Sequence, residues 1–272
     1  MKRAAVHFDL SAYLQRIAFS GPVQTDVATL HALTRAHTQA IAFENIDVLL
    51  GRGISLERSD IFDKLVLKRH GGYCFEQNIL LQTVLEHLGF EVMPLGGRVR
   101  LGYDSRAQMP ARTHLFLKIR GSDCDWITDV GFGSYSLTTA LRLEPDVIQQ
   151  TPHGQRRFEC VHGRWFQQAR VEGRWLDLYE FNPDLPMYES DQKVANWYTQ
   201  THADTHFTYR LSVAIATDKG RAALLNKRVR LVDQGRTREF ELSSAAQLGE
   251  LLYEVFGLCR QNEVKALWKK IK

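Results

Sequence analysis

Cys74 is the residue whose surroundings point most directly to chemistry. It follows the glycine pair Gly71-Gly72 and begins a predicted helix whose apolar stripe runs from Ile79 to Leu88. A helix N-terminus has unsatisfied N–H groups and a partial positive charge, which stabilise a thiolate and can bind an oxyanion. The glycines allow backbone conformations and close approaches that a Cβ would resist. Cys74 is therefore a candidate nucleophile; the alternative is a small buried apolar residue.

A thiolate nucleophile needs a base and an orienting group, and His114 and Asp129 are the candidates. They stand in two apolar runs, 113–119 and 126–130, which predict one hairpin turning near Gly121-Ser122. Fourteen residues lie between them. Because this number is even, a hairpin loop of two or four residues points both side chains to the same face of the sheet. A loop with an odd number of residues would place them on opposite faces. Taken singly, His114 could be a core or edge residue and Asp129 a turn residue.

Two other patterns were candidates for ligand binding. The segment Val130-Gly131-Phe132-Gly133 is too short for a dinucleotide fingerprint, and predicts either a strand-end turn or a backbone approach point for a ligand. In the second case Phe132 would be an aromatic wall. His202 and His206 are four residues apart, but they lack an H-E-x-x-H pattern and a third ligand, so no metal site is predicted.

Composition limits the class of protein. The 272 residues are 44% hydrophobic and 24% charged, and the net charge of +4 comes from interspersed residues of both signs. This is typical of a globular protein, and the charge is too mild to indicate nucleic-acid binding. Residues 1–10 lack the apolar stretch of a signal peptide, and no run has the length of a membrane span. No C-x-x-C pattern links the four cysteines, so we expect a cytoplasmic protein with free thiols, in which Cys124, Cys160 and Cys259 are structural.

The elements that must position these residues change along the chain. Helices are predicted in the first ninety residues: Asp9 is the expected N-cap of the first and Ser59 of the third, and the second runs from about Asp26 to His37. From about residue 91 short β-rich runs alternate with turns, and the near-copies 161–165 and 171–175 predict successive hairpin corners. Further strands near 207–216 and 228–242, a helix from Ser244 to Phe256 and a helix over 263–272 complete the chain. This order predicts an α+β fold.

Together these segments resemble the arylamine N-acetyltransferases over nearly the whole chain. The resemblance is carried by five segments: Phe43-Glu44-Asn45-Ile46-Asp47-Val48, Gly71-Gly72-Tyr73-Cys74-Phe75-Glu76, Thr113-His114, Asp129-Val130-Gly131-Phe132-Gly133 and Gln149-Gln150-Thr151-Pro152-His153-Gly154. Their order and spacing are similar to bacterial members described as N-hydroxyarylamine O-acetyltransferases.

The resemblance implies a helical bundle over 1–90, an antiparallel β-barrel over 91–190 and an α/β lid over 191–272. A cysteine-protease-like core would contain Cys74 as nucleophile, His114 as base and Asp129 as orienting carboxylate. It implies an acceptor pocket lined by Phe43, Val99, Phe132 and Phe207. It also implies that Thr113, Gly131, Phe132 and Gly133 contact coenzyme A. The basic stretch 227–230 predicts a solvated strand face, with contact to coenzyme A phosphates as the alternative.

The implied reaction is ping-pong acetyl transfer from acetyl-coenzyme A to an arylamine, an arylhydrazine or an N-hydroxyarylamine. The implied partners are small molecules, without nucleic acid, membrane or metal, and the chain would be a monomer or homodimer. Two departures from the family pattern, His70 in place of Arg and Ala42 in place of Pro, put rate and selectivity in question. The alternatives are a cysteine hydrolase with the same triad, although Cys74 lacks papain-like surroundings, and an inactive coenzyme A or ligand-binding protein.

Overall fold

Helices occupy both ends of the chain in a computed structural model that describes residues 8–271. The described residues exclude 1–7, which belong to the stretch without a signal-peptide pattern. They also exclude Lys272, the end of the predicted last helix. The α-helices have these bounds: α1 Leu10–Arg16, α2 Val27–Ala40, α3 Ile46–Leu49, α4 Arg58–Phe62, α5 Cys74–His87, α6 Glu189–Thr201, α7 Ala245–Glu254 and α8 Val264–Lys270. In residues 8–271 no helix is both long and apolar enough to cross a membrane.

The helix starts show which sequence signals were reliable. The predicted cap Asp9 accepts a hydrogen bond from the backbone of its own first turn, and Ser244 does the same for α7. Asp26, predicted only as the approximate start of the second helix, is the N-cap of α2. The prediction for Ser59 was wrong, because the N-cap of α4 is Glu57, two residues earlier, and the helix begins at Arg58. A π-helical turn over Asp63–Leu67 continues α4, and this irregularity has no signal in the apolar spacing.

Eight antiparallel strands form a nearly closed barrel. Their bounds are β2 Val92–Val99, β3 Arg112–Ile119, β4 Trp126–Thr128, β5 Leu141–Arg142, β6 Gln149–Thr151, β7 Gly154–Val161, β8 Arg164–Val171 and β9 Arg174–Phe181. The strand order is β5-β4-β3-β2-β9-β8-β7-β6. The edge strands β5 and β6 approach each other, where the side-chain amide of Gln149 both donates to and accepts from the backbone of Arg142.

The predicted hairpin corners of the barrel are confirmed. Two-residue turns at His162-Gly163 and Glu172-Gly173 join β7 to β8 and β8 to β9. All four turn residues have positive φ, between 49° and 80°, as a type I′ turn requires. Glycine tolerates this conformation without steric cost, which is why the sequence signal was clear.

A second antiparallel sheet joins the two ends of the chain. Its strands are β1 Phe43–Glu44, β10 Ser212–Ala216, β11 Gly220–Leu225, β12 Arg228–Asp233 and β13 Arg236–Glu241, in that order. The buried residues of α7 and α8 pack in one core cluster with those of this sheet. Phe43 pairs with Ala214, so a segment of the first ninety residues is a strand of the C-terminal sheet. The α+β prediction is confirmed, and β1 connects the helical part to the C-terminal sheet.

Candidate active site

Cys74 is the first residue of α5, as predicted, and α5 is one of the most deeply buried helices. Its first turn is held by Glu76, whose carboxylate accepts from the backbone N–H of Tyr73 at 3.1 Å. The Cys74 side chain is 5% exposed, and its Sγ lies 3.9 Å from the carbonyl oxygen of Thr113. The thiol is thus fixed at a helix N-terminus and against strand β3.

A β-bulge directs β3 toward that thiol. Gly97 of β2 lies opposite His114, whereas the next residue, Arg98, lies opposite Arg112, so Thr113 is an extra residue in the pairing. Neighbouring residues of a regular strand point to opposite faces, and a bulge relaxes this alternation. Thr113 and His114 accordingly line the same cavity.

His114 and Asp129 form a buried pair on one sheet face, although the loop that joins β3 to β4 spans residues 120–125 and is longer than the two or four residues considered above. Nε2 of His114 lies 2.7 Å from a carboxylate oxygen of Asp129, and the two residues are 2% and 1% exposed. They are not directly opposite: Leu117 faces Thr128, so the register places Asp129 beside Phe116, two residues along β3 and on the face of His114. Burial alone would lower the pKa of His114, but the charge and hydrogen bond of Asp129, with those of Cys74, raise it to about 9.

Asn78 connects the helix to the carboxylate, a role that the sequence analysis missed. Its Nδ2 donates to Asp129 at 3.1 Å and to the Leu115 carbonyl at 2.8 Å, while its Oδ1 accepts from the Val130 N–H. The signal was present, because a residue four positions after a helical cysteine lies on the same helix face. Asp129 is thereby held by helix α5, through Asn78, as well as by strand β3, through His114.

Gly131 has a steric role beside the nucleophile. A Cβ at this position would lie 2.6 Å from the Cα of Cys74 and 2.7 Å from Nδ2 of Asn78, both closer than real contacts. Its N–H donates to Asp129 at 3.1 Å. The close approach at this glycine is to the backbone of the cysteine helix, whereas the sequence predicted a strand-end turn or an approach to a ligand.

A cavity of about 490 Å³ opens beside Cys74, a volume typical of small-molecule sites. Of the ten residues assigned from the sequence to catalysis, donor binding or acceptor binding, nine line it: Phe43, Cys74, Val99, Thr113, His114, Gly131, Phe132, Gly133 and Phe207. The tenth, Asp129, lies buried behind His114. Aromatic side chains contribute much of the wall, and the rings of Phe43 and Phe207 are 6.0 Å apart.

Several aromatic residues of the site carried no recognisable sequence signal. Tyr179, on β9, packs its ring 5.0 Å from that of His114 and 5.2 Å from that of Phe132. Tyr103, Tyr135 and Tyr198 line the cavity from three separate segments. Their convergence depends on tertiary contacts that spacing along the chain does not encode.

The two histidines considered for metal binding have other neighbours. His202 follows the end of α6 and stacks on Tyr198 at 4.5 Å, and His206 lies 4.1 Å from the ring of Phe207. Over residues 8–271 there is no group of three or more His, Cys, Asp or Glu side chains that could hold a metal ion.

A buried ion network lies under the start of α5. Arg260, from the turn before α8, donates to Glu44 at 2.6 Å and to both oxygens of Asp47 at 3.1 and 2.8 Å. Lys64 then joins Asp47 to Glu76, at 2.7 and 2.6 Å. Since Glu76 holds the first turn of α5, the network connects the C-terminal segment to the base of the cysteine helix.

This network bears on the departure at position 70. Burial and the nearby charge of Arg260 lower the pKa of His70 below its usual 6.5, so the imidazole is neutral near pH 7. Arg260, nearly two hundred residues later in the chain, is a cation that binds both Glu44 and Asp47.

Replacing Arg260 with methionine is expected to lower the free energy of unfolding by about 3–5 kcal/mol, because it leaves buried carboxylates without their partner. The side chain of Arg260 is 1% exposed and that of Glu44 is 0% exposed. Arg52 is a matched control, since it pairs with the same Asp47 but is 51% exposed. Arg52→Met should cost about 0–1 kcal/mol. Urea unfolding of both variants measures the difference, and equal losses would contradict this assignment.

Comparisons with known proteins identify the family. Residues 26–264 match the family model described as N-acetyltransferase. The chain is 40% identical to the arylamine N-acetyltransferase of Mycolicibacterium smegmatis, covering 92% of each chain. It is 37% identical to the arylamine N-acetyltransferase / N-hydroxyarylamine O-acetyltransferase of Salmonella typhimurium, covering 94% of this chain and 90% of that one.

A solved structure extends the likeness to the whole fold. The arylamine N-acetyltransferase of Mycobacterium marinum, in complex with CoA, superposes with a TM-score of 0.91 at 35% identity. The match covers 97% of this chain and 99% of that one. Together with the family model and the relatives, it shows that this chain belongs to the arylamine N-acetyltransferase family.

Proposed function

We propose that the protein transfers an acetyl group from acetyl-coenzyme A to an aromatic amine, hydrazine or N-hydroxyarylamine through an acetyl-cysteine intermediate. The observation that carries the proposal is the buried pair of His114 and Asp129 beside Cys74, in an aromatic-walled cavity. The names of the relatives support acetyl transfer to arylamines, and the CoA complex of one neighbour supports the donor.

In the first half-reaction, the Cys74 thiolate attacks the carbonyl carbon of the thioester. Because Nε2 of His114 is engaged by Asp129, Nδ1 is the nitrogen available for proton exchange. The raised pKa of His114 keeps the ring protonated near neutral pH, so it neutralises the thiolate beside it. The carbon–sulfur bond to coenzyme A then breaks, and His114 gives its proton to the departing sulfur.

In the second half-reaction, the acceptor nitrogen or oxygen attacks the acetyl carbon on Cys74. His114, now neutral, takes the acceptor's proton, and the bond between the acetyl carbon and Sγ breaks. Thiolate and imidazolium are regenerated together. The carboxylate of Asp129 keeps the ring oriented through both steps, and Asn78 and the Gly131 N–H hold that carboxylate.

The cavity favours flat, apolar acceptors. Phe43, Phe132 and Phe207 present ring surfaces to it, and such surfaces stack on other aromatic rings. An aromatic amine could reach the sulfur with its ring between these side chains. We therefore infer that arylamines and aryl hydrazides are accepted in preference to amines of similar size without a ring.

A panel of acceptors tests the proposed function. Purified protein is incubated with acetyl-coenzyme A and an arylamine, an aryl hydrazide, an N-hydroxyarylamine or cyclohexylamine, and release of free coenzyme A thiol is followed. We expect release that depends on the aromatic acceptors and yields an equal amount of acetylated product. Thiol release at one rate with and without acceptor, giving acetate alone, would indicate a hydrolase. Absence of release with every acceptor would indicate an inactive binding protein.

A further inference from the structure

A second cavity, of about 200 Å³, lies between the barrel and the C-terminal sheet. Its walls come from β7 and β8 on one side and from β11 and β12 on the other. Ser134 and Tyr135 line both this cavity and the one beside Cys74, so the two adjoin. No step of the proposed reaction uses this second cavity.

Its lining is strongly basic. Four arginines, Arg156, Arg170, Arg221 and Arg230, line it together with His153, and none of its lining residues is acidic. Among the described residues only Arg230 of these four has a carboxylate partner, Glu239 at 3.4 Å, in an exposed pair. The walls thus carry an excess of positive charge that the neighbouring side chains do not neutralise.

Arg156 is the most deeply buried of the four. It is 2% exposed; its Nη2 donates to the carbonyl of Tyr135 at 3.1 Å, while its Nη1 is buried without a hydrogen-bond partner in the described part of the chain. Buried donors are nearly always paired, so an orphan guanidinium nitrogen at a cavity wall requires an explanation. An anion in the cavity would supply the missing acceptor.

Arg221 adds a second cation at the same place. The guanidinium groups of Arg156 and Arg221 lie 5.9 and 6.0 Å from the centre of one ring, that of Tyr135. Burial, together with repulsion from Arg156, lowers the pKa of Arg221 to about 9, and burial lowers that of Arg156 to about 10. Burial is the main cause of both shifts, so a negative group beside the two guanidinium groups would stabilise their charged forms.

His153 shapes the cavity without adding charge. Its two ring nitrogens are engaged, by the hydroxyl of Thr138 at 2.7 Å and by the carbonyl of Thr217 at 2.8 Å. The contact with a carbonyl requires N–H at Nε2, so Nδ1 accepts from Thr138. Burial and Arg221 lower the pKa of His153, and the ring remains neutral near pH 7.

We propose that this arginine-lined cavity binds a phosphate group. Guanidinium groups bind phosphate oxygens through paired, charge-assisted hydrogen bonds, and the unpaired Nη1 of Arg156 needs such an acceptor. The phosphate comes either from coenzyme A, extending from the adjoining catalytic cavity, or from free phosphate or pyrophosphate. The first source rests on the proposed function, whereas the second does not.

Calorimetric titration with inorganic pyrophosphate, in low-salt buffer without phosphate, tests the site. Arg221→Gln is the main variant, because Arg221 is only partly buried and Arg156 is too deeply buried to replace safely. We expect it to weaken pyrophosphate binding about ten- to a hundredfold. Arg236→Gln, an exposed arginine on β13 outside the cavity, is the matched control and should leave the affinity unchanged.

Titrations with coenzyme A and pantetheine, which lacks the phosphates, distinguish the sources. If coenzyme A supplies the phosphate, Arg221→Gln weakens its binding but leaves pantetheine binding unchanged. If free phosphate is the ligand, Arg221→Gln weakens only the binding of pyrophosphate. Coenzyme A then also binds to protein that already holds pyrophosphate, because the two ligands do not compete. The proposal is overturned if Arg221→Gln changes neither the affinity for pyrophosphate nor that for coenzyme A. Acetylation of Cys74 by S-acetylpantetheine, followed by mass, checks the proposed function separately.

Discussion

Cys74→Ala is expected to reduce acetyl transfer roughly a millionfold, to the background rate, because the variant lacks the atom that carries the acetyl group. In the unaltered protein, incubation with acetyl-coenzyme A alone should add one acetyl mass to the peptide containing Cys74. The added mass should disappear when an arylamine is supplied. Intact-protein and peptide mass spectrometry measure both changes directly.

Cys259→Ala is the matched control for this experiment. Cys259 is a free thiol like Cys74, but it is exposed and lies outside the cavity. Its removal should leave both the rate and the acetyl mass unchanged. Transfer that persists in Cys74→Ala, or acetylation that follows Cys259 instead, would rule out the proposed nucleophile.

Asp129→Asn is expected to lower the rate of acetylation of the enzyme about 10,000-fold, because the amide can hold the wrong tautomer of His114 and cannot stabilise its positive charge. The volume of the side chain hardly changes, so the fold should be retained. Single-turnover release of coenzyme A thiol gives this rate without interference from the second half-reaction. Asp125→Asn is the control, since Asp125 lies in the same hairpin, pairs with Lys118 and is 32% exposed.

The pH dependence of the same rate separates an electrostatic role from a structural one. With the pKa of His114 raised to about 9, the imidazolium is present below that pH, and the rate should fall as pH rises through it. In Asp129→Asn the raising charge is gone and burial still lowers the pKa, so the fall should move to lower pH. If the variant is slower but its rate decreases at the same pH as in the unaltered protein, Asp129 only supports the fold.

Short-range patterns predicted much of the site. The setting of Cys74 at a helix start and the even spacing of His114 and Asp129 both follow from the periods of helices and strands. The exact register did not follow, because it depends on the Thr113 bulge and on the loop after β3. Neither feature changes the hydrophobic alternation that sequence reasoning uses.

Contacts between distant segments were beyond sequence reasoning. Arg260 was one of many arginines in the chain, and only the fold brings it to Glu44. Tyr179 stood in a β-rich run with nothing to mark it as the neighbour of His114. The helix start at Arg58 was missed for a different reason: the N-cap position holds Glu57, whose side chain makes no capping hydrogen bond.

The long-range position of Arg260 also affects how the protein matures during its synthesis. Glu44 and Asp47 leave the ribosome more than two hundred residues before their shared cation. At typical elongation rates this is a delay of about 10–40 s. Until then Asp47 has only Arg52 and Lys64 as cationic partners, and Glu44 lacks the guanidinium group that binds it. The ion network under the cysteine helix can therefore be completed only after Arg260 has been synthesised, whichever helices have formed by that time.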